Sequence, residues 1–118
     1  MPHFEPESLP SLQIAKGINA RVVTGDTLTV LHVVIEAGAA LPEHSHHHEQ
    51  IVNLVEGEML LTVDGTDSTM KSGDVMLLPP NVVHSGRAIS RCHIIDVFHP
   101  VRKDFGGGNF AGYPSEAE

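Results

Sequence analysis

Histidine is concentrated in one short segment of the chain. Four of the nine histidines fall between His44 and His48, and Gln50 follows two positions later. Alternate side chains of an extended backbone share a face. The alternation therefore predicts an inward set made of His44, His46, His48 and Gln50 and an outward set made of His47 and Glu49. Neutral imidazole is a common ligand for transition metals, so the inward set predicts a metal site. A solvated polar loop is the alternative.

A second segment adds a further imidazole. His84 follows a proline turn, Pro79-Pro80-Asn81, on what should be a neighbouring strand. A strand next to the histidine segment would bring this ring towards the first set.

The two segments together resemble the paired motifs of the cupin superfamily. In the first motif the matching positions are Gly38, His44, His46 and Gly57, and Gln50 stands where the family usually has Glu. In the second the matching positions are Gly73, Pro79 and His84, whereas Asn81 replaces a Gly and Ala88 replaces an Asn. The resemblance implies an all-β double-stranded β-helix of the jelly-roll type, usually dimeric. It also implies one divalent transition metal, Ni, Zn, Fe or Mn, held by His44, His46, Gln50 and His84.

The Gln in place of Glu changes the charge of the expected site. A carboxylate ligand would lower the charge on the ion, and an amide does not. The ion should keep its full positive charge and act as a strong Lewis acid. An anionic sugar or a keto acid is therefore the expected small-molecule partner. Loss of metal from a weakened site is the alternative.

Two charged residues near the end of the last apolar segment could take part in chemistry. Asp96 lies among Ile, Val and Phe, where a carboxylate is costly unless it is paired or faces a wet cavity. By alternation it shares a face with Phe98, so we expect it beside the metal as the acid/base. A structural salt bridge to Arg87, Arg91 or Arg102 is the alternative. Arg102 could fold over the barrel mouth and clamp a carboxylate, or it could be an exposed solubilising residue.

A narrower resemblance covers nearly the whole chain before the tail. The chain is similar to KdgF-type cupins of pectin and alginate breakdown. The shared features are the segments His44 to Gln50, Pro79 to His84 and Asp96 to Phe98, followed by Pro100, Arg102, Asp104 and Phe105. The resemblance implies conversion of 4,5-unsaturated uronates to linear 4-deoxy-5-keto uronates, with Asp96, Phe98 and Arg102 as functional residues. The alternatives are a metal-dependent dioxygenase, an enzyme like certain polyketide cyclases, and a non-catalytic protein that binds sugar acids.

Short apolar segments between turn signals predict the strands. They are Thr27–Glu36, Gln50–Glu56, Glu58–Val63, Val75–Leu78, Val82–His84 and Cys92–Phe98. Thr27–Glu36 is apolar on both faces, which is typical of a strand packed in a barrel or sandwich. No segment has a helical pattern. Many short, closely spaced strands favour a closed all-β architecture.

Composition limits the remaining possibilities. A formal net charge of -8 on 118 residues, without any basic cluster, argues against nucleic acid and anionic membranes. The single cysteine, Cys92, cannot form an internal disulfide, and no signal or membrane segment is recognisable. We expect a cytoplasmic protein with one barrel domain at 1–105 and a flexible tail at 106–118. Aromatic residues of the tail, Phe105, Phe110 and Tyr113, could dock on the barrel or on a neighbouring subunit.

Overall fold

Ten antiparallel strands make up almost all of the regular structure in the computed structural model, which describes residues 2–103. The tail and its aromatic residues lie outside this range. In chain order the strands are β1 (Leu12–Ala15), β2 (Ile18–Thr24), β3 (Thr29–Ile35), β4 (Ala40–His44), β5 (Glu49–Glu56), β6 (Glu58–Val63), β7 (Thr66–Lys71), β8 (Val75–Leu78), β9 (His84–Ala88) and β10 (Cys92–His99). A short 3-10 turn, Pro6–Ser8, precedes them. No helix between residues 2 and 103 is long and apolar enough to cross a membrane.

The strands form two sheets. One has the order β1-β2-β3-β10-β5-β8, and the other has the order β4-β9-β6-β7. The inward faces bury mainly aliphatic side chains such as Leu31, Leu54, Leu61, Leu78 and Ile94. Removing such side chains from water is the main favourable contribution to folding. The prediction of an all-β double-stranded β-helix is therefore confirmed.

Strand β10 shows how the sequence pattern positions the site. It pairs with β3 on one side and with β5 on the other, so it lies in the middle of the larger sheet. Every second residue is buried, namely Cys92, Ile94, Asp96 and Phe98. The predicted common face of Asp96 and Phe98 is confirmed, and both side chains point into the barrel.

Two predictions about strands are wrong. The strand expected at Val82–His84 instead begins at His84 and continues to Ala88. His84 is its first residue because the preceding turn still includes Asn81, whose φ is +68°. The segment Thr27–Glu36 forms the shorter strand β3, and only one of its faces, with Leu31, Val33 and Ile35, is fully buried. The opposite face, with Val30, His32 and Val34, lies on the outside of the sheet and is only partly buried.

Turn residues join the two motif segments. Asn81 takes the left-handed conformation at the position where the family usually has Gly, and Asn is one of the few other residues that tolerate it. Its backbone N–H donates a hydrogen bond of 2.7 Å to the carbonyl of His46. Gly57 has a φ of +106°, and a Cβ at this position would clash with the carbonyl of Arg91. The motif positions therefore fix the backbone around the histidines.

Candidate metal centre

The three motif histidines meet inside the barrel. His44 ends β4 and His84 begins β9, and the two residues are direct partners across these strands. The ring centroids are 4.2 Å apart for His44 and His84, 5.1 Å for His46 and His84, and 6.0 Å for His44 and His46. One potential ligand atom from each ring lies within 4.8 Å of the others. This group could hold a metal ion.

Backbone carbonyls orient each of the three rings. The Nδ1 atoms of His44 and His84 lie 2.8 and 2.9 Å from the carbonyl oxygens of Pro42 and Val82, each two residues earlier. The Nδ1 of His46 lies 3.2 Å from the carbonyl of His48. A carbonyl can only accept, so Nδ1 is the protonated nitrogen in each ring. Each Nε2 is then left with a lone pair for a ligand, as is typical of metal-binding histidines.

The unprotonated nitrogens show whether a metal ion fits these residues. The Nε2 of His84 is buried and finds no hydrogen-bond partner among residues 2–103. The Nε2 of His46 lies 3.1 Å from the Oε1 of Gln50. With Nδ1 carrying the proton, both of these atoms are acceptors, and a cation would satisfy them where a hydrogen bond cannot. The donor set of three imidazoles and one amide oxygen therefore fits a divalent transition metal.

The environment keeps the imidazoles neutral. Burial, with smaller contributions from the neighbouring charges of His84 and Arg102, lowers the pKa of His44 to about 4. Burial likewise lowers the pKa of His46 to about 4, with Arg102 as the next cause. The pKa of His84 is also lowered, mainly by burial. Neutral rings are the metal-binding form, so these shifts keep the centre competent for metal in mildly acidic solution.

Asp96 lies fully enclosed next to this centre. Burial raises the pKa of its carboxyl to about 7, against the lowering effects of a hydrogen bond from the Gln50 side chain and of the charge on Arg102. One carboxyl oxygen, Oδ1, has no hydrogen-bond partner within the described residues. Asp96, Gln50, His44 and His84 all line a cavity of about 50 Å³ in the barrel interior. The carboxyl can therefore exchange a proton near neutral pH with a group that enters this space.

Arg102 and Phe98 lie on the His46 side of the centre. Phe98 is fully buried, and its ring contacts His46 edge-on at a centroid distance of 5.6 Å. The guanidinium carbon of Arg102 lies 4.9 Å from the Phe98 ring centroid, a cation–π geometry. Arg102 is only 2% exposed, so the alternative of an exposed solubilising residue is wrong.

Three arginines were considered as salt-bridge partners of Asp96, and the structure places them in different environments. Arg91 pairs instead with Glu36 at 3.4 Å on the surface. Arg87 is exposed on β9. Of the three, only Arg102 contributes to the pKa of Asp96. Its charge reaches both the carboxyl and the histidines.

The predicted inward and outward sets along the histidine segment match the burial pattern. His44, His46, His48 and Gln50 are buried, whereas His47 and Glu49 are exposed. Sequence reasoning missed the residue that fixes the backbone of Arg102. This is Thr29, fully buried, whose Oγ1 accepts a hydrogen bond of 2.9 Å from the Arg102 N–H. A Thr at the start of an apolar strand carries no signal of such a role.

Known proteins have this fold and align with most of the chain. Residues 31–98 match the family model described as "Cupin domain". The pectin degradation protein KdgF of Dickeya dadantii is 27% identical over 106 residues, which span 87% of this chain and 96% of that protein. An RmlC-like cupin from Shewanella frigidimarina superposes with a TM-score of 0.82 at 30% identity, covering 89% of this chain and 96% of that one.

A KdgF from Halomonas sp. has the same fold, with a TM-score of 0.82 at 24% identity and coverage of 88% and 97%. The matched segment spans more than half of the chain and contains all four candidate metal ligands. The protein therefore belongs to the cupin domain family.

Proposed function

We propose that the protein is a metal-dependent enzyme that opens the ring of 4,5-unsaturated uronates and releases linear 4-deoxy-5-keto uronates. The observation that carries this proposal is the carboxyl of Asp96, with its pKa near neutrality, next to three converging imidazoles and the Gln50 amide. Similarity to a pectin degradation protein supports the substrate class. The reaction is an isomerisation and needs no oxidant, reductant or water.

One carboxyl can perform both proton transfers of this reaction. The ionised Asp96 takes the proton of the anomeric hydroxyl, and the bond between C1 and the ring oxygen breaks. C1 becomes an aldehyde, and the former ring oxygen remains on C5 as an enol or enolate. Asp96 then returns the proton to C4, so that C5 becomes a ketone and C4 a methylene. Without metal the pKa of Asp96 is about 7, and a bound cation would lower it, so the carboxylate is available near neutral pH to take the first proton.

The remaining site residues bind and orient the substrate. His44, His46, Gln50 and His84 would hold the divalent ion, which when bound supplies Lewis acidity that stabilises negative charge on substrate oxygens. Arg102 binds the sugar carboxylate, because its charge acts on the histidines of the centre and its planar guanidinium can donate two hydrogen bonds to the two carboxylate oxygens. Phe98 packs against the sugar and excludes water, which strengthens the electrostatics of the site.

The size of the cavity adds a requirement. About 50 Å³ accommodates a small substituent or one or two water molecules, and a whole monosaccharide is larger. Substrate binding therefore requires the segment at residues 100–103 to move outward and to close again over the bound sugar. Arg102 lies after the last strand, and its backbone is tied to the sheet by the hydrogen bond to Thr29, which such a movement would break.

The test is the ultraviolet absorbance of the conjugated 4,5 double bond. Purified metal-loaded protein should remove this absorbance faster than the spontaneous rate, and the Asp96→Asn variant should not. Oxygen consumption, measured in parallel, separates the isomerase from a dioxygenase. An absorbance that decays at the spontaneous rate with fully loaded protein would overturn the proposed function.

A further inference from the structure

Two histidines of the cluster are not part of the candidate ligand set. His47 is exposed, whereas His48 is only 3% exposed. Their ring centroids are 4.0 Å apart, and the His48 ring lies 5.4 Å from the ring of His46. The three imidazoles therefore form a continuous series from the solvent to the centre of the barrel.

Such a series solves a problem that a buried metal centre creates. The candidate ligands are each at least nine-tenths buried, so a hydrated ion must lose its water before it reaches them. An apolar wall offers nothing to replace that water, and the cost of stripping a cation is large. An imidazole nitrogen can replace one water molecule at a time, because it is itself a good ligand for transition metals.

The interior around the centre is electrostatically unfavourable for a cation. The positive charge of Arg102 acts on His44, His46 and His84, as its lowering of all three pKa values shows. Arg102 also lies against Phe98. Phe98 in turn lies 5.6 and 6.2 Å from the rings of His46 and His48. A divalent ion that entered this poorly solvated interior would meet a like charge, so an imidazole ligand at each step has to offset the repulsion as well as the lost water.

The surface end of the histidine series is negatively charged. Glu43 and Glu49, both exposed, flank the segment, and the chain as a whole carries a net charge of -8. Negative charge around a surface site raises the local concentration of cations and their rate of association. The exposed His47 ring lies between these two carboxylates in the sequence.

We propose that His47 and His48 form the route by which the metal ion reaches its centre. His47 captures the hydrated ion at the surface, His48 takes it over, and His46 receives it as the first of the final ligands. Each step exchanges one ligand for another, with no change in oxidation state. The inference rests on the metal centre of the proposed function, and it concerns the rate of metal uptake rather than the reaction.

A route differs from a ligand in its kinetic signature. Removing a ligand accelerates dissociation and weakens binding at equilibrium. Removing a step of the route slows association and dissociation by the same factor, because the ion leaves by the path it entered, and the equilibrium affinity is unchanged. The two rate constants together therefore distinguish the roles.

The experiment mixes metal-free protein with Co²⁺ in a stopped-flow instrument and follows the ligand-field absorbance of the complex. Dissociation is measured with excess chelator. His47→Ala and His48→Gln should each slow both processes roughly tenfold, the scale on which local features of a site change association rates, with a dissociation constant within about twofold of wild type. His93→Ala removes a histidine from the outer face of the large sheet and is the matched control, expected to match wild type.

Three results would overturn the inference. The first is association of both variants at the wild-type rate. The second is faster dissociation of His48→Gln with unchanged association, which would make His48 a ligand. The third is a wild-type protein that does not bind Co²⁺, which would remove the metal centre and the proposed function together. His47→Ala changes only an exposed side chain, so the test does not depend on the folding of the variant at the buried position.

Discussion

Replacing Asp96 by Asn in the metal-free protein should remove a burial cost that grows with pH. The carboxyl is fully enclosed, and burial raises its pKa from the ordinary value of 3.8 to about 7. Between these two pH values the folded chain keeps a proton that the unfolded chain has released. The folded state then binds more protons, so the free energy of unfolding falls as pH rises through this window. Above pH 7 both states are ionised and the cost stays constant.

The size of the effect follows from the two pKa values. They differ by about 3, and each pKa unit corresponds to about 1.4 kcal/mol. The full cost of ionising Asp96 in the folded chain is therefore about 4 kcal/mol at pH 8. This is a large fraction of the roughly 5–15 kcal/mol that stabilises a typical domain. Asn avoids the ionisation, so the variant should gain up to this amount relative to wild type between pH 4 and pH 8.

The assay is urea unfolding of the chelator-treated proteins at several pH values, followed by circular dichroism. The difference between variant and wild type is the informative quantity, because the titrations of all other groups cancel in it. Asp26→Asn makes the same substitution at an exposed position outside the barrel interior and serves as the matched control. A flat difference for Asp96→Asn would refute the reasoning, because it would mean that the buried carboxyl titrates in the folded chain as it does in the unfolded chain.

Four further predictions concern catalysis, the ligand set and assembly. Metal-loaded Asp96→Asn should retain its metal by elemental analysis yet lose at least about 100-fold in kcat, and intact turnover would remove the proton-transfer role. Gln50→Glu should bind metal at least as tightly but hold an anionic substrate more weakly, seen as a raised KM, because the carboxylate lowers the positive charge of the site; an unchanged KM would contradict this. Burial lowers the pKa of His44 and His46 to about 4. The protein should therefore retain its metal in equilibrium dialysis down to about pH 5 and release it near pH 4. Release already near pH 6.5 would contradict the lowered pKa values. The homodimer stays a prediction. An apolar row crosses five strands on the outer face of the larger sheet, where a second copy could pack, and it consists of Val23, Val30, Val97, Ile51 and Leu77. Leu77→Lys should therefore give a monomer by light scattering, while the similarly exposed Ile89→Lys stays dimeric; a dimeric Leu77→Lys would place the interface elsewhere.

The sequence revealed the strands that carry continuous apolar segments. Strands β3, β5, β6, β8 and β10 were predicted, with errors of one or two residues at their ends. Strands β1, β2, β4 and β7 were missed. Strand β7 reads Thr-Asp-Ser-Thr-Met-Lys and buries only Met70, so its pairing with β6 rather than its own hydrophobicity holds it in the sheet. Strand β4 contains Pro42, which weakens any local strand signal.

The candidate ligands were predictable because motif spacing reflects geometry. His44 and His84 become neighbours once β4 pairs with β9, although neither strand was predicted with its true bounds. The orientation of the rings could not be predicted, since the carbonyls of Pro42 and Val82 belong to the backbone and leave no trace in residue type. The sequence also left open whether Arg102 folds over the barrel mouth or is exposed, because arginine side chains are mostly exposed and residue type alone does not decide between the two.

The replacement of the usual Glu by Gln50 acquires a second reason once Asp96 is placed. The Gln50 side chain contacts both sides of the site: its Oε1 lies 3.1 Å from the Nε2 of His46, and it also hydrogen-bonds the Asp96 carboxyl. An amide has an acceptor for the metal side and a donor for the carboxyl side. A Glu at this position would have no donor for Asp96 and would add a second negative charge beside it. That charge would raise the pKa of Asp96 and favour its protonated form, which cannot accept the first proton. In the proposed mechanism, the charge of the metal centre and the acid/base function of Asp96 therefore depend on the same side chain, and an amide at position 50 favours a base at Asp96.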